Sequence, residues 1–195
     1  MSFGLGSPTG IDLPQEAKGI APGPMWKRFA LKTPWYEGDT INYSIGQGYL
    51  EVTPIQMLRV ITIVANNGFC PQPYIVEDIE GVKTSRRREY SARLRPEFFK
   101  MIRAGLFDAV NDPTGTGQGA RINDLDVSGK TGTAQSGPSR KSHAWFIGFL
   151  PSDEPLISMV IFIEHGGKGG ESAANTARLI AVYLKENGFL NEKYF

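Results

Sequence analysis

One cysteine, two histidines and no apolar run near the length of a membrane span set the first limits on this 195-residue chain. Cys70 alone cannot close a disulfide within the chain, so cysteine usage is compatible with a reducing or an oxidising compartment. His143 and His165 have no cysteine or carboxylate at ligand spacing beside them, which argues against a metal site, and no motif calls for a cofactor. No stretch approaches the roughly 18 apolar residues of a membrane helix, and no basic region precedes an apolar one at the N-terminus. As it stands the chain reads as soluble and untargeted. A formal net charge of +1 excludes a whole-chain field that would draw nucleic acid, so no nucleic-acid partner is expected. What is present, 41% hydrophobic and 21% charged residues, suits one core of ordinary size.

Pro8, Pro14, Pro22, Pro24 and Pro34 interrupt every apolar stretch near the N-terminus, and residues 1–50 are expected to be extended, Gly/Pro-rich loop and turn. Residues 51–195 read as helices and antiparallel strands. Thr53 as cap, Pro54 at the first helical position, apolar residues through Val64 and a stop at Gly68 describe the first helix. Residues 74–84 suit a short hairpin, followed by a polar connection that opens with Arg86, Arg87 and Arg88. A second helix is expected from Pro96, with Phe98, Ile102, Leu106 and Val110 as its buried face. Three strands follow, over 126–134, 143–150 and 156–164, the last two joined by a turn from Pro151 to Pro155 that demands antiparallel pairing. The nearly continuous apolar run Leu156 to Ile163 predicts a strand covered on both faces and well inside the sheet. A third helix, from Glu171 to Asn187, carries Ala177, Ile180, Ala181 and Leu184 as its stripe and stops at Gly188. The fold class is α+β, with helices packed on an antiparallel sheet.

Ser128-Gly129-Lys130-Thr131 resembles the end of a phosphate-binding P-loop, but that pattern fails twice. It needs a glycine where the chain has Asp124, and a helix at the Lys-Thr pair, where Gly132 to Pro138 offers none. What remains is a strand bearing Lys130-Thr131-Gly132, the third signature of the penicillin-binding protein and serine β-lactamase superfamily. Five further blocks accompany it in order: Phe3-Gly4-Leu5-Gly6; Thr9 to Pro14; Gly38 to Asn42 with Ser44 to Gly48; Val52-Thr53-Pro54; and Ala144 to Phe149. Together with Gly129 to Ala134 they make the chain resemble class B penicillin-binding proteins of the elongation type. Gln15 departs from the glycine frequent there, which bears on loop shape rather than chemistry.

The resemblance implies that residues 1–195 are the C-terminal part of one transpeptidase domain, a partial penicillin-binding/serine β-lactamase-like fold. It implies a D,D-transpeptidase that cross-links peptidoglycan stem peptides through an acyl-serine intermediate and is blocked by β-lactams. Substrate binding falls to Lys130, Thr131, Gly132 and Thr133. Lys130 supplies a fixed cation, the two threonine hydroxyls hold a D-Ala or β-lactam carboxylate, and the Thr133 amide is half of an oxyanion hole. A substrate backbone can add to a sheet edge, and Gly132 leaves room for its approach. The family also implies an upstream anchor in the cytoplasmic membrane, a periplasmic or extracytoplasmic location, and work alongside a glycosyltransferase and elongation-machinery proteins.

The family's Ser-x-x-Lys nucleophile and Ser-x-Asn element do not occur; Ser7, for example, is followed three places on by Gly10. Both normally precede the Phe-Gly-Leu-Gly block, so an upstream truncation is the simplest expectation. Two other functions compete with the enzyme reading. One is a non-catalytic β-lactam sensor or peptide-binding module, and the other a nucleotide-binding protein using the glycine loop His165 to Gly170. That loop has no G-x-G-x-x-G spacing and suits a strand-to-helix turn. Arg86 to Arg88, with Arg93 and Arg95, are expected to be solvated charge rather than a glycan or partner contact. Trp26, Trp35 and Tyr36 could line a groove but better suit packing of the Pro-rich segment. Fluorescent penicillin is expected to leave no stable covalent adduct on the isolated chain, and a labelled band in a denaturing gel is the result that contradicts this.

Overall fold

The computed structural model describes residues 3–84, 89–135, 137 and 140–190. The arginine run Arg86 to Arg88 lies outside the described residues.

Two short helices correct the expectation of extended structure through residue 50: α1 (Pro24–Ala30) and α2 (Glu37–Ser44). Pro24 starts a helix instead of breaking one, because the first helical position has no use for the amide hydrogen that proline lacks. α2 is held at its start by Asp39, whose carboxylate accepts the Tyr36 N–H at 2.7 Å and pairs with the buried Lys27 ammonium at 2.6 Å. Those bonds hold the Asp39 carboxyl below its ordinary pKa, with the hydrogen bond from Lys27 the largest cause. The aromatic residues of this segment pack among themselves. Trp26 lies 5.6 Å from Tyr49, and Trp35 meets Tyr43 edge-on at 6.5 Å.

The surface this segment needs is α3 (Pro54–Ala65). Thr53 and Gln56 form a reciprocal cap, Thr53 Oγ1 accepting from Gln56 N and Gln56 Oε1 accepting from Thr53 N. The same Gln56 side chain, 1% exposed, donates from Nε2 to the carbonyls of Ser7 at 3.0 Å and Lys18 at 2.8 Å. One glutamine thus caps a helix and fastens two points of the N-terminal segment to it. α3 ends before Gly68, whose φ of +116° favours glycine and whose amide donates back to Ile63 O at 2.7 Å.

Beyond α3, β1 (Phe69–Pro71) pairs with the later β4 (Glu89–Ser91), and β2 (Asp78–Ile79) and β3 (Val82–Lys83) form the small hairpin between them. α4 (Pro96–Asn111) begins at the expected proline but turns a different face inward. Phe99 and Val110 are buried, whereas Phe98 and Ile102 are exposed at 41% and 39%. Four-residue steps drift by about 40° each on a helix of 3.6 residues per turn, so a strict spacing of four cannot hold one face over three steps. The face observed carries Phe99, Arg103, Leu106 and Val110. Phe98 instead lies under the Arg95 guanidinium, 4.6 Å from its ring centre.

The main sheet holds β5 (Ser128–Ala134), β6 (His143–Leu150) and β7 (Ile157–Ile163), all antiparallel in that order. On one face Ala144, Phe146, Leu150 and Met159 pack against α5 (Ser172–Glu186) through Ala173, Ala174, Ala177 and Ala181. On the other, Ile147, Phe149 and Val160 pack against Ile61, Val64 and Ala65 of α3. β7 is therefore covered on both faces, as its apolar run predicts. Its position within the sheet is corrected, because among the described residues β6 is central and β7 lies at an edge.

Arg103 locks α4 to the rest. Its guanidinium donates to Ala65 O at 2.8 Å, Ser152 O at 2.7 Å and Asp153 O at 2.8 Å, joining the end of α3 to the β6–β7 turn. Arg103→Met keeps the stem but leaves three carbonyls without this donor, and is expected to lower unfolding stability by about 2–4 kcal/mol. Urea denaturation measures that loss, and an unchanged midpoint contradicts it.

Candidate active-site wall

The residues singled out from sequence, Lys130 to Thr133, occupy one strand, β5, which pairs with β6 on one side only among the described residues. β5 lies close on β6 because Gly129 and Gly148 face each other in the register. A Cβ at Gly148 would come 2.8 Å from the Phe146 ring, and one at Gly129 would collide with the same ring. Phe146, fully buried, fills the space that both side chains give up.

Along the strand, Lys130 is exposed and its ammonium donates to its neighbour's carbonyl, Thr131 O, at 2.8 Å. The Thr131 hydroxyl meets the Thr116 hydroxyl at 3.2 Å. Thr116 is held there by tight turns: a Cβ at Gly117 would lie 2.9 Å from Ala109 O, and one at Gly170 2.7 Å from Thr116 O. The Thr133 hydroxyl accepts the Gly169 N–H at 3.2 Å, and the Thr133 carbonyl accepts from Gln47 Nε2 at 3.2 Å. Thr131, Thr133, Thr116 and Lys168 border one open concavity of about 510 Å³.

Sequence reasoning missed three of these contributors. Gln47 stood only inside a longer block, Thr116 in a stretch given no role, and Gly169 in what read as a strand-to-helix turn. The loop His165 to Gly170 in fact clasps β5. The amides of Gly166, Gly167 and Gly169 donate to Ile163 O, Ser142 O and Thr133 Oγ1, so they are already used within the fold rather than free to cradle phosphate. Gly169 lies so near the strand that a Cβ there would come 2.6 Å from Trp145 O and collide with Gly132 O. The close backbone approach at Gly132 is thus made, on that face, by the protein's own loop.

The two histidines serve this clasp. His143 Nδ1 accepts the His165 N–H at 3.1 Å, and the rings lie 4.7 Å apart. No group of three His, Cys, Asp or Glu residues placed to hold a metal occurs among the described residues. No helix among them is long and apolar enough to cross a membrane. Cys70 is buried, and desolvation pushes its thiol pKa up, the direction of a less reactive thiol.

This architecture, an antiparallel sheet with helices on both faces, is that of the penicillin-binding transpeptidases. The chain belongs to the penicillin binding protein transpeptidase domain family, whose model matches residues 1–181. It is similar to the peptidoglycan D,D-transpeptidase MrdA of Haemophilus influenzae, at 32% identity over 98% of the chain and 32% of that protein. It is also similar to MrdA of Acinetobacter baumannii, at 34% identity over 93% of the chain and 29% of that protein. The chain therefore spans about a third of the length of these curated relatives. Among solved structures it resembles Helicobacter pylori PBP2 in complex with MreC, with TM-score 0.86, 30% identity and coverage of 97% of this chain and 35% of that one. It resembles Pseudomonas aeruginosa PBP2 in complex with WCK 5153 with TM-score 0.83, 29% identity and coverage of 98% and 43%.

Gly169→Ala is expected to push the clasp off β5, break the bond to Thr133 and lower stability by about 1–3 kcal/mol, the usual cost of overpacking. Gly105→Ala meets nothing within 4 Å in mid-helix, and is expected to stabilise by about 0.5–1 kcal/mol. Chemical denaturation of the two variants side by side checks the contrast. Equal midpoints contradict it.

Proposed function

We propose that this chain is the C-terminal part of the transpeptidase domain of an elongation-type peptidoglycan D,D-transpeptidase, acting through an acyl-serine intermediate. The nucleophilic serine and its lysine belong to a Ser-x-x-Lys element outside this sequence, and β5 is the opposite wall of the site. The observation that carries the reading is the state of the β5 edge. Its Lys130-Thr131-Gly132-Thr133 run lacks a strand partner on one side among the described residues, and Thr131 and Thr133 border a concavity.

Roles follow from the bonds each group already makes. The Thr133 hydroxyl accepts from Gly169 N–H, which leaves its proton available to donate to a substrate carboxylate. The Thr131 hydroxyl, which donates to Thr116 Oγ1 at 3.2 Å, can turn that proton to the same carboxylate when substrate is bound. Lys130 adds a positive charge whose position is fixed along the strand by its bond to Thr131 O. The Thr133 amide supplies half of the oxyanion hole, the other half coming from the nucleophile's own amide. Stem peptides ending in D-Ala are the substrates, and β-lactams acylate the same serine.

The relatives support the wider setting. Helicobacter pylori PBP2 was solved with MreC, and another similar structure is of a peptidoglycan synthase complex that coordinates polymerization and crosslinking. By that likeness the protein works beside a glycosyltransferase and elongation-machinery proteins, on the extracytoplasmic face of the cytoplasmic membrane, anchored by a helix outside this sequence.

In the whole protein carrying this chain, Lys130→Ala is expected to lower the second-order rate of acylation by penicillin by about 100-fold or more, the scale of lost charge stabilisation at a reacting centre. Thr131→Val is expected to weaken it less. Stopped-flow or gel-based acylation kinetics decide the matter, and wild-type rates in Lys130→Ala sink the assignment.

A further inference from the structure

At the far end of β5 a side chain, not a strand, meets the open edge. Gln47 Nε2 donates to Thr133 O at 3.2 Å, and two residues back the Lys130 ammonium donates to Thr131 O at 2.8 Å. Both carbonyls therefore point away from β6. Gly132, between them, points toward it. A Cβ at Gly169 would meet Gly132 N, Gly132 O and Trp145 O together, three atoms of a hydrogen-bonded Gly132–Trp145 pair. In an antiparallel ladder such pairs alternate with pairs that exchange no bonds, and the N–H and C=O of one residue share a direction. The Thr133 N–H thus faces the open edge beside its own carbonyl.

Gln47 is held for this contact. It lies between Gly46 and Gly48, with φ of +74° and +78°, in the turn that follows α2. Its own amide donates to Asn42 O at 2.9 Å, and a Cβ at Gly48 would press on Asn42 Cβ at 3.2 Å. Left-handed glycines on either side of one residue fold the chain back on α2 and leave the Gln47 side chain aimed at β5.

An extended ligand whose reacting carbonyl takes the Thr133 N–H would, as an antiparallel partner, offer the N–H of that same residue to Thr133 O. Gln47 already occupies that acceptor. We propose, resting on the acyl-transfer reading given above, that Gln47 is a specificity-determining residue, a stand-in donor at Thr133 O that a ligand's backbone N–H must displace. A ligand with such an N–H replaces one hydrogen bond by another and gains little from it. A ligand without one leaves Gln47 in place, so the carbonyl keeps its partner. The glutamine levels the difference between the two classes of ligand.

Benzylpenicillin has an acylamino N–H beside its reacting carbonyl, and penicillanic acid lacks that group. Stopped-flow acylation of the whole protein carrying this chain gives a second-order rate for each, and separates the dissociation constant of the first complex from the acylation step. Gln47→Met keeps the length of the side chain and loses the donor. It is expected to raise the ratio of the benzylpenicillin rate to the penicillanic acid rate about threefold, the scale of one net hydrogen bond. The gain is expected in the dissociation constant of the benzylpenicillin complex. A glutamine that only steadied β5 would, when lost, slow both probes alike. An unchanged or lower ratio therefore overturns the proposal, as does a gain carried by the acylation step. Should Gln47→Met not fold, Gln47→Ala is measured in its place and read the same way. A wild-type protein that benzylpenicillin does not acylate overturns the acyl-transfer reading itself, and this role of Gln47 with it.

Discussion

The ring of Phe146 occupies the space that two Cβ atoms would take at Gly129 and Gly148, which face each other across the β5–β6 ladder. Much of the site depends on that substitution of one large side chain for two absent ones. It brings β5 close over the core that α5 closes from below with four buried alanines, Ala173, Ala174, Ala177 and Ala181. Small residues on the helix and glycines on the strands let two backbones and one aromatic ring share a layer that ordinary side chains would force apart. The stretch Lys130 to Thr133, proposed above to meet substrate, continues the same strand, so its start is positioned by this packing.

Further along, packing gives way to hydrogen bonding. Beyond Gly132 the strand is held by the loop before α5, through the Gly169 bond to Thr133 and the contact with Trp145 O that only glycine tolerates. From the other side Gln47 reaches Thr133 O. Residues more than a hundred positions apart, Gln47 and Gly169, thus bind two atoms of one threonine. A strand held this way resists rotation while its Thr131 and Thr133 side chains still border the concavity.

How much of this was legible in the sequence follows from the range of each interaction. The start of α3 was readable because Thr53, Pro54 and Gln56 act on one another within a single turn. Pro24 and Asp39 act just as locally, but the density of prolines around them suggested breakage, and the helix start at Pro24 was read as an interruption. The family was legible for a different reason, since it rests on ordered blocks of residues rather than on physics. The roles of Gln47, Thr116 and Gly169 were not legible. Each is defined by a partner between 15 and 86 residues away, and no local spacing of polar or small residues encodes such a pairing.

The apolar run of β7 shows where pattern reading stops. A strand has two faces and two edges, and side chains report only on the faces, because they project above and below the sheet. Ile157, Met159, Ile161 and Ile163 meet the α5 side and Val160 the α3 side, so the two helical layers account for most of the run, while Phe162, 40% exposed, packs on Trp145. The edge of a strand is made of backbone N–H and C=O groups, which are the same whatever the sequence. That is why a continuous apolar run correctly foretold coverage and could not foretell centrality. The same limit applies with opposite consequence at β5, where the unpaired edge is the feature of interest and the mixed run Ser-Gly-Lys-Thr-Gly-Thr carries no periodic sign of it. There the open edge became visible only once the register placed β6 on one side and a side chain, Gln47, at the far end of the strand.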